Sequence, residues 1–276
     1  MKLVRACSLL VTLFALTVLS PYYGHADSVL GSASAFAVLG ASTVTNTGNT
    51  VLYGNLGLYP GTSITGFPPG IVNGTIDDDD AVAMQAQVDA LSAYVFLAGL
   101  SSNENLSGQD LGGLTLTPGV YSFNSTAQLT GALTLNFEGL SNVDIVFQIG
   151  SALTTASGSM VNEVNMGQND NVYWQIGSSG TLGTNSQMVG NLIADQSLTL
   201  NTGATINCGR AIALNGAVTL DDNTINNCAG TVGTTPEPGT IALVATGGIL
   251  AAGANPSCLS FLGLGSIAAA FKRRKR

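Results

Sequence analysis

Three groups of side chains in this 276-residue sequence could do chemistry: four consecutive aspartates, Asp77 to Asp80; two cysteines twenty residues apart, Cys208 and Cys228; and the single histidine, His25. None points to catalysis. A calcium loop spreads its carboxylates over alternate positions around a glycine turn, whereas these aspartates run without a break into an apolar-periodic segment ending at Leu100. There Ala81, Met84, Val88, Leu91, Val95 and Ala98 recur at steps of three and four, which predicts a helix over about 77–102 carrying one apolar stripe. Carboxylates at its start satisfy free N–H groups and oppose the helix dipole. Paired carboxylates can cleave glycosides, but the adjacent acids here sit at that cap and at Asp221-Asp222, a turn. Two thiols without a histidine are poor zinc ligands. No enzyme, metal or cofactor is expected.

The ends explain why the basic tools are missing. Lys2 and Arg5 precede an apolar run, Leu9 to Leu19, and Gly24-His25-Ala26 offers small residues for cleavage. This is the pattern of a signal peptide over residues 1–26, and His25 leaves with it. Of the eight basic residues, two lie in that leader and five in Lys272 to Arg276, so Arg210 alone faces fifteen carboxylates between Asp27 and Thr235. Such a balance repels phosphate backbones and excludes nucleic acid as a partner. It also denies a β-helix groove the cations that stabilise an anionic intermediate. The acids are sparse among Gly, Ala, Ser, Thr, Asn, Leu and Val, so one folded domain is expected over 27–230.

At the far end, Pro236-Glu237-Pro238 precedes an apolar stretch from Ile241 and the basic terminus. The order of these parts over 231–276 resembles a PEP-CTERM sorting tail. That resemblance implies export through the bacterial inner membrane, transient anchoring by the tail, and processing by a signal peptidase and an exosortase. It also associates the protein with exopolysaccharide-producing surfaces. Asn255-Pro256-Ser257-Cys258 departs from the pattern, because it would split or kink the helix. A plain transmembrane anchor is the other reading.

The body is a series of short apolar-alternating runs separated by Gly, Asn, Ser and Thr, which predicts many short strands. Phe147-Gln148-Ile149-Gly150 returns as Trp174-Gln175-Ile176-Gly177, and Leu182, Leu200 and Leu220 fall 18 and 20 residues apart. Imperfect periods of this size mean stacked coils. In Leu198-Thr199-Leu200 and Val218-Thr219-Leu220 the apolar residues turn inward and the threonines stack outside. The Cys208 to Cys228 spacing matches the last period, placing both on neighbouring coils, about 4.8 Å apart, within reach of a disulfide. Two unpaired buried thiols are the alternative.

The order of these features resembles the microbial ice-binding-like domain found in secreted antifreeze and ice-adhesion proteins. Its carriers are Phe36-Ala37-Val38-Leu39-Gly40, Gly54-Asn55-Leu56-Gly57-Leu58, Ile64-Thr65-Gly66-Phe67, the long helix, Leu116-Thr117-Pro118-Gly119-Val120-Tyr121, Val146-Phe147-Gln148-Ile149, Tyr173-Trp174-Gln175-Ile176 and Leu200 to Ala211. The resemblance implies an all-β fold: a right-handed, discontinuous β-helix of triangular section, its first segment beside the last coils and one long α-helix packed alongside. It also implies an ice crystal surface as partner, met by a flat face of Thr, Ser, Ala and Gly. Thr202-Gly203-Ala204-Thr205 matches the Thr-Ala/Gly-x-Thr/Asn step that some members carry there. Coil alignment adds Thr184 and Ser186, Asn223 and Thr224, Thr155 and Ser157, and the early Thr43, Thr45 and Thr47. A monomer is expected. The competing reading is a surface or biofilm-matrix adhesin that shares the fold without touching ice; a face broken by Asn, Asp or aromatic residues would favour it, with Tyr53, Tyr59 and Tyr121 as platforms.

Overall fold

Runs such as Leu198-Thr199-Leu200 are too short to stand alone and are held by pairing with the next turn of chain. Leu198 aligns with Val218 and Thr199 with Thr219, in parallel. A computed structural model describes residues 29–228, and their strands form two sheets. One has seven strands, in spatial order Ala127–Leu129, Leu153–Thr155, Gly180–Leu182, Leu198–Leu200, Val218–Asp221, Val44–Thr47 and Ile64–Thr65. The other has fifteen strands in two arms, which share the long strands Gln187–Ala194 and Thr205–Ala213. The helix arm contains Gly119–Phe123, Asp144–Ile149, Asn171–Ile176, the ends of the long strands, then Phe36–Gly40 and Asn55–Leu58. The far arm contains Ala132–Asn136, Met160–Val164, the starts of the long strands, Thr224–Asn226, Val51–Tyr53 and Ile71–Asn73. Each circuit visits the helix arm, the seven-strand sheet and the far arm in turn. The long strands change arm at Gly190 and Gly209, where circuits nearly touch: a Cβ on Gly209 would lie 1.8 Å from the Gly190 carbonyl oxygen.

Spatial order departs from chain order. Phe36–Gly40 pairs with Thr205–Ala213, and Val44–Thr47 with Val218–Asp221, so the first circuits stack on the last. Arg210 fastens this junction. Its Nε and Nη2 donate to the Ser34 carbonyl at 2.8 and 2.6 Å, and Nη1 donates to Asn191 Oδ1. The one arginine of the domain is thus a buried structural clamp.

A helix, α1 (Ala81–Ala98), carries the chain back to the opposite end, where Glu104–Asn105 pairs with Gly119–Phe123. Its 18 residues span about 27 Å. It is shorter than the spacing suggested, because Asp77 and Asp78 belong to a strand, Ile76–Asp78, paired with Gly57 and Leu58. Asp80 alone caps it, accepting from Val82 N and Ala83 N. The helix also faces the other way from its obvious stripe. Met84, Val88, Leu91 and Val95 are exposed, while Ala83, Ala86, Ala90, Ala93 and Leu97 are buried. The sheet side presents Phe36, Leu39, Val146, Tyr173, Ile193 and Ile212, and only small residues let a helix close on so bulky a surface. Polar ties fix it: Gln87 Nε2 donates to the Gly40 and Ala213 carbonyls, and Gln148 Nε2 to those of Leu97 and Leu100.

Inside, Phe147 stacks on Trp174 with centroids 3.9 Å apart, and Tyr121 lies beyond Phe147 at 5.8 Å. Tyr121 is therefore core and no glycan platform. Cys208 and Cys228 form a disulfide with Cα atoms 4.6 Å apart, joining the long strand Thr205–Ala213 to the chain just beyond Thr224–Asn226. Closing a 20-residue loop stabilises by about 3 kcal/mol. Replacing both cysteines by serine is expected to lower the melting temperature by roughly 10 °C in a domain of this size, measurable by calorimetry.

One carboxylate works against the fold. Glu163 occupies the register position of buried Leu135 on the neighbouring circuit, and burial, with the charge of Asp170, raises its pKa. A pKa raised by folding means the stabilising protonated form is complete below the unfolded pKa and lost as pH rises through the folded one. Stability should therefore fall as pH rises above the ordinary glutamate range. Glu163→Gln should flatten this dependence in urea melts at several pH values.

Candidate functional site

Each short strand of the seven-strand sheet turns its central residue outward, because it alternates in, out, in. Leu153, Leu182, Leu198, Leu200, Val218, Leu220 and Val44 are buried, which leaves Thr154, Thr181, Thr199, Thr219, Thr45 and Thr65 outside. Register joins them into one unbroken row: Thr154 beside Thr181, then Thr199, Thr219, Thr45 and Thr65, with Gln128 at one end. All six are exposed or half-buried, at about 4.8 Å per step. A second row lies two residues earlier, immediately before each strand. There Ala152, Ser179, Ser197, Ala217, Thr43 and Ser63 follow one another through backbone bonds to the neighbouring circuit. Ser197 Oγ accepts from Ala217 N at 3.1 Å, so such hydroxyls are held by the backbone. A third row runs along the corner toward the far arm: Ser157, Thr184, Thr202, Asp221 and Thr47. Two carboxylates touch these rows: Asp110, which is bridged beside Gln128 at the end of the first, and Asp221 in the third, to which Thr202 Oγ1 donates.

The surface is therefore small-chained, regular and nearly uncharged. Nothing in the three rows can act as general acid and nucleophile together, and among the described residues no group of three His, Cys, Asp or Glu could hold a metal. What the rows do offer is a fixed lattice of hydroxyls and methyls on a rigid parallel sheet.

The far arm differs. Its corresponding outward row reads Ala132, Met160, Gln187, Thr205, Thr224, Val51 and Ile71, and Tyr53 and Asn73 lie in the next. Side chains of unequal length roughen it.

Residues 38–226 match the family model described as Ice-binding-like. The chain belongs to the ice-binding-like family. It is 53% identical over 253 residues to the ice-binding protein of Nostoc sp. (strain HG1), covering 90% of this chain and 87% of that one. Among solved structures, it is similar to an ice binding protein from an Antarctic Biological Consortium, with 45% identity, a TM-score of 0.68, and 71% and 89% of the two chains covered. A second is the ice-binding protein of Antarctomyces psychrotrophicus, with 41% identity, a TM-score of 0.69, and 71% and 96% covered. The all-β architecture with parallel sheets and one helix is that of these ice-binding proteins.

Within this ice-binding-like domain the expected site residues divide. Ser157, Thr184, Thr202 and Thr47 do stack in one exposed corner row, with Gly203 in its turn at φ 72°. Thr43 and Thr45 lie in the first two rows of the sheet. Thr205 and Thr224 pair with each other on the far arm, so Thr202-Gly203-Ala204-Thr205 straddles a corner. Thr155, Ser186 and Asn223 are buried and leave the face. Thr155 Oγ1 accepts from Gly183 N, and Asn223 Nδ2 donates to the Asn201 and Ala204 carbonyls, so both act as inward corner braces. The sequence-based site omitted Thr154, Thr181 and Thr65, and placed Thr199 and Thr219 outside without assigning them to it. Their signal is the threonine beside inward apolar residues, clearest in Leu198-Thr199-Leu200 and Val218-Thr219-Leu220.

Proposed function

We propose that this protein is an exported, non-enzymatic ice-binding protein, and that ice meets the seven-strand sheet. The observation that carries the site is the uninterrupted row from Thr154 to Thr65, flanked by a row of Ala, Ser and Thr. Hydroxyls and methyls repeating on a rigid sheet can order a water layer that merges with a growing crystal. The strands are already fixed, so adsorption costs little ordering entropy. Charged or long side chains would hold water in other geometries, and the face carries charge only at its margins, Asp221 along the corner and Asp110 beyond Gln128. Relatives named as ice-binding proteins, one of them 53% identical, support the activity.

In this reading the circuits wind as a right-handed β-helix of triangular section, the sense that parallel crossovers overwhelmingly take. A disulfide suits an oxidising compartment, consistent with export by the leader at 1–26. That leader, the Pro236-Glu237-Pro238 motif and the tail over 231–276 lie outside the described residues. With them go the signal peptidase, the exosortase, exopolysaccharide association and transient anchoring as proposals from sequence.

Thermal hysteresis and ice recrystallisation inhibition of the exported protein test the function. Measurable hysteresis with faceted crystals is expected. A folded protein that leaves ice growth unchanged would overturn the reading in favour of a surface adhesin.

A further inference from the structure

The outer face of α1 gathers half of the exposed large hydrophobic side chains among the described residues. Val82, Met84, Val88, Leu91, Val95 and Phe96 are 42–62% exposed, a patch on the order of 500 Å², near the upper end of what monomers leave open. We propose that this face pairs with a second copy of the same chain, α1 against α1, antiparallel about a two-fold axis.

The spacing selects a helix as the occupant. Ala81, Met84, Val88, Leu91, Val95 and Ala98 follow the alternating three-and-four step of a coiled-coil seam, and all six are exposed. Such a seam accepts the knobs of another helix. The order selects a copy of itself. With the axis between residues 89 and 90, Ala81 meets Ala98 of the second copy, Met84 meets Val95, and Val88 meets Leu91. The seam is therefore self-complementary, as a two-fold interface requires. Local repulsion is small, because Asp89 is the one carboxylate within α1 and Ser32 and Gln85 hold it. The helix is already folded on its sheet, so pairing carries no helix-forming cost.

Two such patches bury about 1,000 Å², the size of a weak, transient interface. Because α1 lies on the helix arm, pairing leaves the seven-strand sheet free, and one particle presents two such sheets. The proposal departs from the expectation of a monomer and stands independently of the ice reading.

The test is sedimentation velocity on the protein produced from the full chain and recovered as the host releases it, over roughly 1–100 µM. A concentration-dependent dimer is expected. Val88→Glu and Leu91→Glu should each weaken it at least about tenfold, with circular dichroism and melting temperature unchanged. As a second readout, a Val88→Cys chain mixed with a Leu91→Cys chain should give a cross-linked peptide joining the two positions under a short bifunctional maleimide. A monomer at every concentration, or a dimer indifferent to both glutamates, would overturn the proposal. So would cross-links that run instead to this chain's own residues 229–276. So would loss of the apolar face into lipid vesicles, since α1 is by length and composition apolar enough to cross a membrane.

Discussion

Replacing Thr199 by tyrosine is expected to reduce thermal hysteresis at least about tenfold while leaving the melting temperature within a few degrees. Thr199 sits in the middle of the row, beside Thr181 on one circuit and Thr219 on the next. Its flanking residues Leu198 and Leu200 are buried, so the substitution alters only the outward position. A phenol there rises above neighbours that are all threonine, separating the sheet from the ice plane over several circuits. Surface substitutions away from core and caps ordinarily change stability by about 0.5 kcal/mol or less, so activity and stability should part. A variant that loses both in proportion would mean that the row supports the fold and nothing more.

Trp174→Ala is expected to have the largest effect on stability. Trp174 is fully buried, stacks on Phe147 at 3.9 Å with planes 9° apart, and donates from Nε1 to the Val189 carbonyl at 2.9 Å. Truncating a buried aromatic costs about 4 kcal/mol, and the orphaned carbonyl adds to it. The melting temperature should fall by roughly 10 °C or more. Because the ring joins adjacent circuits, the loss should appear as one cooperative transition at lower temperature in calorimetry. A fall of only a degree or two would show that the circuits are held mainly elsewhere.

These two residues also show what a sequence can disclose here. Phe147 and Trp174 were recognisable as equivalent because identical neighbours, Gln and Ile, follow each, and they do lie in register. The Cys208 to Cys228 spacing was readable for the same reason: one circuit of chain returns to nearly the same place. The stacking of Phe36–Gly40 on the last circuits has no such local signature and came from family resemblance alone.

Other features were illegible for physical reasons. Periodicity locates a stripe on α1 but not the side that packs, since that depends on how much room the opposing sheet leaves. The bulk of Phe36, Tyr173 and Ile193 assigns the sheet side to alanines. Alternation likewise fails at corners. Ser186 and Asn223 stand where the chain bends, and a small polar residue there turns inward as readily as outward to solvent; Asn223 then braces the backbone. The seven-strand row was the more legible surface, for each of its threonines lies beside core residues that fix its direction. The Thr-Gly-x-Thr step was more conspicuous as a motif and crosses a corner instead.

The most direct test of the central claim compares tyrosine substitutions on two sheets of the same protein, Thr199→Tyr on the seven-strand sheet and Thr205→Tyr on the far arm, by thermal hysteresis at equal concentration. Ice contact at the seven-strand sheet predicts that Thr199→Tyr loses most of the hysteresis and Thr205→Tyr keeps nearly all of it. The reverse pattern, or equal loss in both folded variants, would contradict it.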